Sequence, residues 1–335
     1  MSLTSLTKSF FLHRIRALNK SISIAKKVFT FSVFVIISLT IASCGTTTVT
    51  HTAVVVDKNV IPIIKRPILV AHTSDGTVSY RTDGAGSPLV LIMGYSGSMD
   101  AWMPTFVDTL AKYHEVIIFD NAGIGQTSMP NGTLTIGKMA QQTNALIRYL
   151  HLNKPDVLGW SMGGMIAQAL AINYPNDVNH LILAATLPGN GHATSPSMST
   201  VAQLTNTSAS NALNLLNLLF PKNQSAWTTK YIEALSKFPN FYVADKTVTT
   251  AQFNALALWS FAKDPSGFKL KSIKAQTLIA DGSDDQLIPQ ANSKYMHSAI
   301  KNSKLIFYPD AGHGFLFQDQ NKFIPLLLNF LNNNN

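Results

Sequence analysis

The stretch DVLGWSMGGMIAQAL, residues 156–170, places Ser161 between Gly159 and Gly163, at the junction of an apolar run and a helix-like run. The apolar run predicts a buried strand, so Ser161 falls in a tight strand–turn–helix. Side chains two residues to either side would collide in such a turn, and glycine at both positions removes that collision. The helix also points its N-terminal N–H groups toward Ser161. This context indicates a nucleophilic serine rather than an incidental glycine-rich turn.

Further apolar runs, bounded by turn residues, recur along the chain. They do not alternate polar and apolar residues, which favours strands of a parallel sheet covered by helices on both faces. The runs are residues 88–94, 115–120, 156–160, 178–185, 276–281 and 304–310. The helix-like stretches are residues 136–152, 162–175 and 321–331. Alternation of strands and helices predicts an open α/β sheet with right-handed crossovers.

One long segment, residues 187–270, interrupts this alternation because it has no clear buried strand. It contains helix-like pieces at 211–220 and 252–261. An insertion of this length is expected to form a layer of its own, so we predict a helical cap. The α/β core then comprises residues 67–186 and 271–331. Apolar cap residues either line a substrate pocket or pack the cap onto the sheet: Leu213, Leu216, Leu219, Phe220 and Trp259.

A serine hydroxyl becomes a useful nucleophile only when a base takes its proton and an acid orients the base. His313 fits the base, because it lies between two glycines shortly after a late apolar run. His192, at the entry to the cap, is the alternative. Candidate acids lie at the end of the run 276–281 and in the loop after it: Asp281, Asp284 and Asp285. Spacing alone does not separate Asp284 from Asp285.

These residues, in the order serine, acid and histidine, resemble the α/β-hydrolase family over roughly residues 70–330. In that family the catalytic aspartate stands three residues after a strand-ending glycine and four before a proline. Gly282 and Pro289 occupy those positions, so the resemblance implies Asp285 as the acid. With Ser161 and His313 it would complete a catalytic triad.

The resemblance also implies an oxyanion hole formed by the backbone N–H groups of Tyr95 and Met162. Two departures from the family pattern lie close to it. Met93 stands where members commonly carry histidine, and Ala122 replaces the usual arginine in DNAGIGQTS, residues 120–128. Backbone donors do not depend on the side chain at position 93, so the hole can survive these changes.

Together the residues and the resemblance imply acyl transfer through an acyl-enzyme on Ser161, with a carboxylic ester as substrate. Perhydrolase or cofactor-free haloperoxidase-like, lactonase and carbon–carbon hydrolase activities are alternatives that use the same triad. A non-catalytic, ligand-binding surface lipoprotein on a hydrolase scaffold is a rival of another class. Serine at position 161 argues against the dehalogenase and epoxide-hydrolase branches, which use aspartate. No metal or cofactor is implied.

The N-terminal segment predicts export. Residues 1–43 contain six of the 26 basic residues and none of the 17 acidic ones, so the body is nearly balanced and offers no basic face for nucleic acid. Residues 28–43 form a short apolar run that ends at Cys44, the single cysteine. The sequence IASC resembles a bacterial lipobox. It implies a lipoprotein signal peptide, a lipid anchor on Cys44 and a tether over residues 44–66, with Gly45 favouring the outer membrane. The oligomeric state is left open.

Overall fold

A computed structural model describes residues 60–205 and 216–332 of the 335-residue chain. The predicted signal peptide, Cys44 and most of the predicted tether lie outside these residues. Within the described ranges, no helix is both long enough and apolar enough to cross a bilayer.

Eight strands form one sheet in the order β1-β2-β4-β3-β5-β6-β7-β8. The strands are β1 Leu69–Thr73, β2 Gly76–Asp83, β3 Pro88–Ile92, β4 Glu115–Phe119, β5 Asp156–Trp160, β6 His180–Ala184, β7 Gln276–Gly282 and β8 Ser303–Tyr308. Strand β2 pairs antiparallel with β1 and β4, and every other pairing is parallel. The predicted mostly parallel sheet is confirmed.

The six predicted strands all form, with ends within two residues of those predicted. The hairpin of β1 and β2 was not predicted. Buried and partly exposed residues alternate along β2, so it has no continuous apolar run. A two-residue turn at Ser74 and Asp75 joins these strands, and Gly76 follows it with φ of 103°. The Asp-Gly pair is the sequence signal that would have found the hairpin.

Helices cover both faces of the sheet. Those of the described ranges are α1 Pro104–Leu110, α2 Ile136–Tyr149, α3 Met162–Asn173, α4 Met198–Thr205, α5 Ala226–Leu235, α6 Lys246–Ser260, α7 Gln290–Ala299, α8 Phe315–Gln318 and α9 Gln320–Asn332. Alternate residues of each central strand enter different core clusters. Leu91 packs with α1 and α9, whereas Ile92 packs with α2, α3 and α7. The sheet is therefore buried on both faces, as the continuous apolar runs require.

The predicted cap segment contains α4, α5 and α6. Two of its aromatic side chains, Phe220 and Trp259, are fully buried and serve packing: Phe220 lies against Gly314, and Trp259 lies against Gly189. Near the start of the described chain, Ile63 belongs to a single 3₁₀ turn and is also fully buried. Its N–H donates to Asp108 at 2.7 Å, so the packed chain includes part of the segment predicted as a tether.

Candidate active site

Ser161 lies between β5 and α3 in a strained backbone conformation, with φ of 58° and ψ of −121°. Residues other than glycine rarely adopt this φ/ψ region. The strain persists only where surrounding contacts fix the backbone. Three hydrogen bonds do so. The Ser161 N–H donates to the Ala184 carbonyl at 2.9 Å, and the Ser161 carbonyl accepts from Gly164 N at 2.9 Å and Thr186 Oγ1 at 2.7 Å. The turn therefore projects the serine at the carboxyl edge of the sheet.

The glycines around Ser161 are required by close backbone contacts. A Cβ on Gly163 would overlap the carbonyl oxygen of Ile92 at the end of β3, and one on Gly159 would overlap the carbonyl of Gly163. The end of β3 also approaches the serine itself: a Cβ on Gly94 would lie 3.2 Å from Ser161 Cβ and 3.8 Å from its Oγ. Residues after β3 thus form one wall of the site.

His313 follows β8 and is anchored to the residue that precedes Ser161. Its backbone carbonyl accepts a hydrogen bond from Trp160 Nε1 at 2.9 Å, and the two rings lie 5.5 Å apart between centroids. The cap also contacts this loop, because Gly314 N donates to the carbonyl of Leu219 at 2.7 Å. His313 is 2% exposed, so its ring is held in a largely water-free environment.

Asp285 is the predicted acid that contacts the histidine. Its Oδ2 lies 2.7 Å from His313 Nδ1, and its Oδ1 accepts from the N–H groups of Leu287 and Ile288 at 2.7 and 2.9 Å. Asp284 is exposed. Asp281 is buried and instead accepts from Ser293 Oγ. Burial, and then the nearby Asp285 carboxylate, raise the pKa of Asp281 well above its ordinary value.

The Nδ1 contact with Asp285 leaves His313 Nε2 as the nitrogen available to a nucleophile. Among the hydrogen bonds of the described residues, none joins Ser161 Oγ to His313. Hydrogen bonds between a catalytic nucleophile and its base are commonly long before the substrate binds. The positions of Ser161 and His313 in the fold therefore matter more than the length of this one contact. His192, the alternative base, stacks on Tyr295 of α7 at 4.4 Å between ring centroids.

The two predicted oxyanion donors occupy the elements that the prediction requires. Met162 is the first residue of α3, next to Ser161. Tyr95 belongs to the loop after β3, residues 93–98, which we call the oxyanion loop. Asn121 braces its start by donating from Nδ2 to the carbonyl of Met93 at 2.7 Å. The loop is therefore fixed by side-chain contacts although Met93 replaces the histidine common in the family.

A buried carboxyl group, Asp120, holds Met99, the residue that directly follows the oxyanion loop. Its Oδ1 accepts from the Met99 N–H at 2.7 Å, and its Oδ2 accepts from Ser79 Oγ at 2.8 Å. Burial raises the pKa of Asp120 to about 6, against the opposing effect of these two hydrogen bonds. An ionised Asp120 at neutral pH is therefore a cost to the folded state.

Two side chains near the site were not found from the sequence: Trp160, which holds His313, and Gln252 of α6. Gln252 is fully buried and accepts from the N–H of Ser96 at 2.9 Å. Trp160 directly precedes Ser161 in the sequence, and this adjacency was the signal that could have identified it as a residue of the site. Gln252 gave none, because 156 residues separate it from its partner.

Within the described ranges, no cluster of three or more His, Cys, Asp or Glu side chains is arranged to hold a metal ion. Of the predicted triad residues, Asp285 and His313 are joined by a direct hydrogen bond, and Trp160, which directly precedes Ser161, donates to the His313 carbonyl.

The fold and this arrangement define a class of protein. The family model described as "alpha/beta hydrolase fold" matches residues 87–320, and the chain belongs to that family. The six parallel strands, the strained serine after β5 and the late histidine all lie within the matched range or at its border.

The known proteins that this chain resembles include a hydrolase and a depolymerase. It is 27% identical over 254 residues to 2-hydroxy-6-oxo-2,4-heptadienoate hydrolase of Pseudomonas putida, covering 74% of this chain and 90% of that protein. It is 27% identical over 267 residues to poly(3-hydroxyalkanoate) depolymerase of Ectopseudomonas oleovorans, covering 73% of this chain and 84% of that protein. A solved α/β hydrolase fold protein from Chitinophaga pinensis superposes on this chain with a TM-score of 0.70 at 23% identity. The match covers 81% of this chain and 99% of that protein.

Proposed function

We propose that this chain is a serine hydrolase of carboxylic esters, with Ser161 as nucleophile, His313 as general base and Asp285 as the acid that orients it. The observation that carries the proposal is the 2.7 Å contact between Asp285 Oδ2 and His313 Nδ1, and the strained backbone of Ser161 supports it. That contact selects the tautomer that carries its proton on Nδ1. Nε2 is then free to accept the serine proton.

In the proposed mechanism Ser161 Oγ attacks the substrate carbonyl while His313 Nε2 takes the hydroxyl proton. The backbone N–H groups of Tyr95 and Met162 donate to the oxyanion that forms. The positive end of α3 adds to the stabilisation of that charge, because the helix begins at Met162. His313 returns the proton to the leaving alcohol. It then activates the water molecule that releases the acyl group from Ser161.

An ester of a largely apolar acid is the substrate class that we favour. One relative is named for depolymerising a poly(3-hydroxyalkanoate), which is a polyester. This name suits an acyl group that leaves water on binding.

A carbon–carbon hydrolase is the second candidate, and a specific comparison favours it. The Pseudomonas putida relative at 27% identity is named as a hydrolase of 2-hydroxy-6-oxo-2,4-heptadienoate. The same triad can serve this reaction, so the substrate and not the triad separates the two candidates. Lactonase and perhydrolase activities remain alternatives of the same kind.

Activity measurements test the proposal directly. A panel of p-nitrophenyl esters of increasing acyl length is assayed with the wild type and with Ser161→Ala, and 2-hydroxy-6-oxo-dienoates are assayed alongside. We expect ester hydrolysis with a kcat/KM that falls roughly 10⁴–10⁶-fold in Ser161→Ala. Turnover of the dienoates alone would favour the second candidate. A folded wild type that turns over neither class supports the non-catalytic alternative.

We also propose that the chain is exported and anchored to the membrane through a lipid on Cys44. The support is the basic N-terminal segment, the apolar run 28–43 and the cysteine directly after it. Cys44→Ser is expected to abolish acylation, measured by palmitate incorporation, and to change membrane fractionation. Unchanged fractionation and mass in that variant would contradict the anchor.

A further inference from the structure

The oxyanion loop makes contacts with the cap as well as with the sheet. Gln252, near the middle of α6, accepts from the N–H of Ser96 through Oε1 at 2.9 Å. The next cap residue, Phe253, packs edge-on against the ring of Tyr95 with centroids 6.1 Å apart. Two successive cap residues thus contact two successive residues of the loop.

Gln252 also contacts the turn that follows β4. Its Nε2 donates to the carbonyl of Ala122 at 3.0 Å, and the side chain is fully buried. The single amide therefore bridges two loops of the core, accepting from one and donating to the other. A buried polar group with both partners fixed has little freedom to move, because losing either bond leaves a buried atom unpaired.

Position 122 carries only a methyl group, and Ala122 is itself fully buried. Its side chain cannot brace the adjacent loop by hydrogen bonding. In this chain the contact with the turn is made instead to the Ala122 backbone, and it comes from the cap.

Ser96 has a backbone conformation that depends on such support. Its φ is 59°, in the left-handed region that non-glycine residues seldom adopt. Strain of this kind is retained only where neighbouring contacts fix it, and the Gln252 bond is made to the Ser96 N–H itself. Without it, the peptide that links Tyr95 to Ser96 is free to rotate toward a relaxed conformation. The neighbouring peptide, which carries the Tyr95 N–H, is linked to it through the Tyr95 Cα and is expected to adjust with it.

We propose that Gln252 is a positioning residue that aligns the Tyr95 N–H of the oxyanion hole, so that docking of cap helix α6 completes the catalytic centre. The inference rests on the proposed function, because it assigns a role within the same hydrolytic site. Gln252 does not touch the reacting atoms; it acts through the oxyanion loop.

Two substitutions separate the two bonds of the amide. Gln252→Met keeps the approximate volume and removes both bonds. Gln252→Glu keeps an acceptor for the Ser96 N–H, but an ionised carboxylate cannot donate to the Ala122 carbonyl. Protonation of that carboxyl restores a donor, and burial favours the protonated form. The activity of Gln252→Glu relative to the wild type is therefore expected to rise as pH falls.

The experiment measures kcat and KM for p-nitrophenyl butyrate with the full chain in detergent. Removing an oxyanion donor costs about 10²–10³ in kcat, and a displaced donor is expected to cost less. We expect Gln252→Met to lower kcat roughly 10–100-fold, with KM changed by less than about threefold. As the pH is lowered from 8.5 to 5.5, the ratio of the Gln252→Glu kcat to the wild-type kcat should rise; the ratio removes pH effects that both enzymes share.

Gln142→Met is the matched control, because Gln142 is a buried glutamine of α2 that donates to the Ser128 carbonyl at 3.1 Å, away from the oxyanion loop. It is expected to lower Tm as Gln252→Met does but to leave kcat within twofold of the wild type. Hydrogen exchange supplies a readout without turnover. Peptides covering residues 93–98 should exchange faster in Gln252→Met than in the control.

The possible results separate the two claims. If the wild type hydrolyses the ester and Gln252→Met retains its kcat with unchanged exchange in the loop, the positioning role is wrong and the proposed function stands. If Gln142→Met loses as much kcat as Gln252→Met, the effect is general destabilisation and the positioning role is again wrong. If the folded wild type is as inert as Ser161→Ala, the proposed function fails and this inference fails with it.

Discussion

Replacing Ser161 by glycine should stabilise the fold relative to replacing it by alanine, although both variants lose the nucleophile. At φ of 58° and ψ of −121° an alanine keeps the steric strain that the serine has. Glycine has no Cβ and adopts this region at little cost. Comparing the two variants with each other therefore isolates the strain, because the lost hydroxyl is common to both.

The magnitude follows from three contributions. Relief of strain at such a residue is worth of order 1–3 kcal/mol. Glycine gives back about 0.4–1 kcal/mol through the greater freedom of the unfolded chain. Loss of the Cβ that contacts Gly94 lowers the free energy of unfolding of Ser161→Gly by roughly a few tenths of a kcal/mol. This is a fraction of the ~0.8 kcal/mol for a fully buried CH₂. Ser161→Gly should then exceed Ser161→Ala in free energy of unfolding by about 1 kcal/mol.

Urea unfolding followed by tryptophan fluorescence measures this difference by linear extrapolation. Ser98 provides the matched control, because it is a buried serine with φ of −76°, where alanine is unstrained. Ser98→Gly should be less stable than Ser98→Ala by about 0.4–1 kcal/mol. If Ser161→Gly is also less stable than Ser161→Ala, position 161 stores no strain and the reasoning about the turn is refuted.

Two further predictions concern carboxyl groups. Asp285→Asn should lower kcat about 10⁴-fold with the fold retained, whereas the exposed Asp284→Asn should leave kcat unchanged; equal effects in a p-nitrophenyl ester assay would remove Asp285 from the proposed triad. Asp120 has a pKa raised to about 6, so its ionisation destabilises the folded state as pH rises from about 4 through 6. The free energy of unfolding of the wild type relative to Asp120→Asn should therefore be about 2 kcal/mol greater at pH 4 than at pH 7, and a difference independent of pH would contradict the burial effect.

The sequence sufficed for those parts of the fold that depend on local pattern. Continuous apolar runs marked the six strands buried on both faces, and strand β5 was predicted with its observed ends. The hairpin β1–β2 was missed because one side of it alternates in burial, so its runs are short and mixed. The long helix α6 was found only in its C-terminal half, since its first turns carry threonines that favour other structures.

For the candidate site, the sequence predicted residues whose neighbours constrain them. Ser161 and His313 are each flanked by glycines, and Asp285 emerged only through the family resemblance, since spacing left Asp284 equally open. The contacts that hold these residues were not accessible, because they join distant segments: Trp160 to His313 across 153 residues and Gln252 to Ser96 across 156. No local pattern encodes such pairs.

Covalent labelling with a fluorophosphonate, mapped by mass spectrometry, tests the central claim most directly. The probe forms a bond only with a serine whose proton is removed by a competent base. We expect a single adduct on the peptide that contains Ser161, lost in Ser161→Ala. A folded wild type that gains no adduct, or that gains it at another residue, would contradict the assignment of Ser161 as the nucleophile.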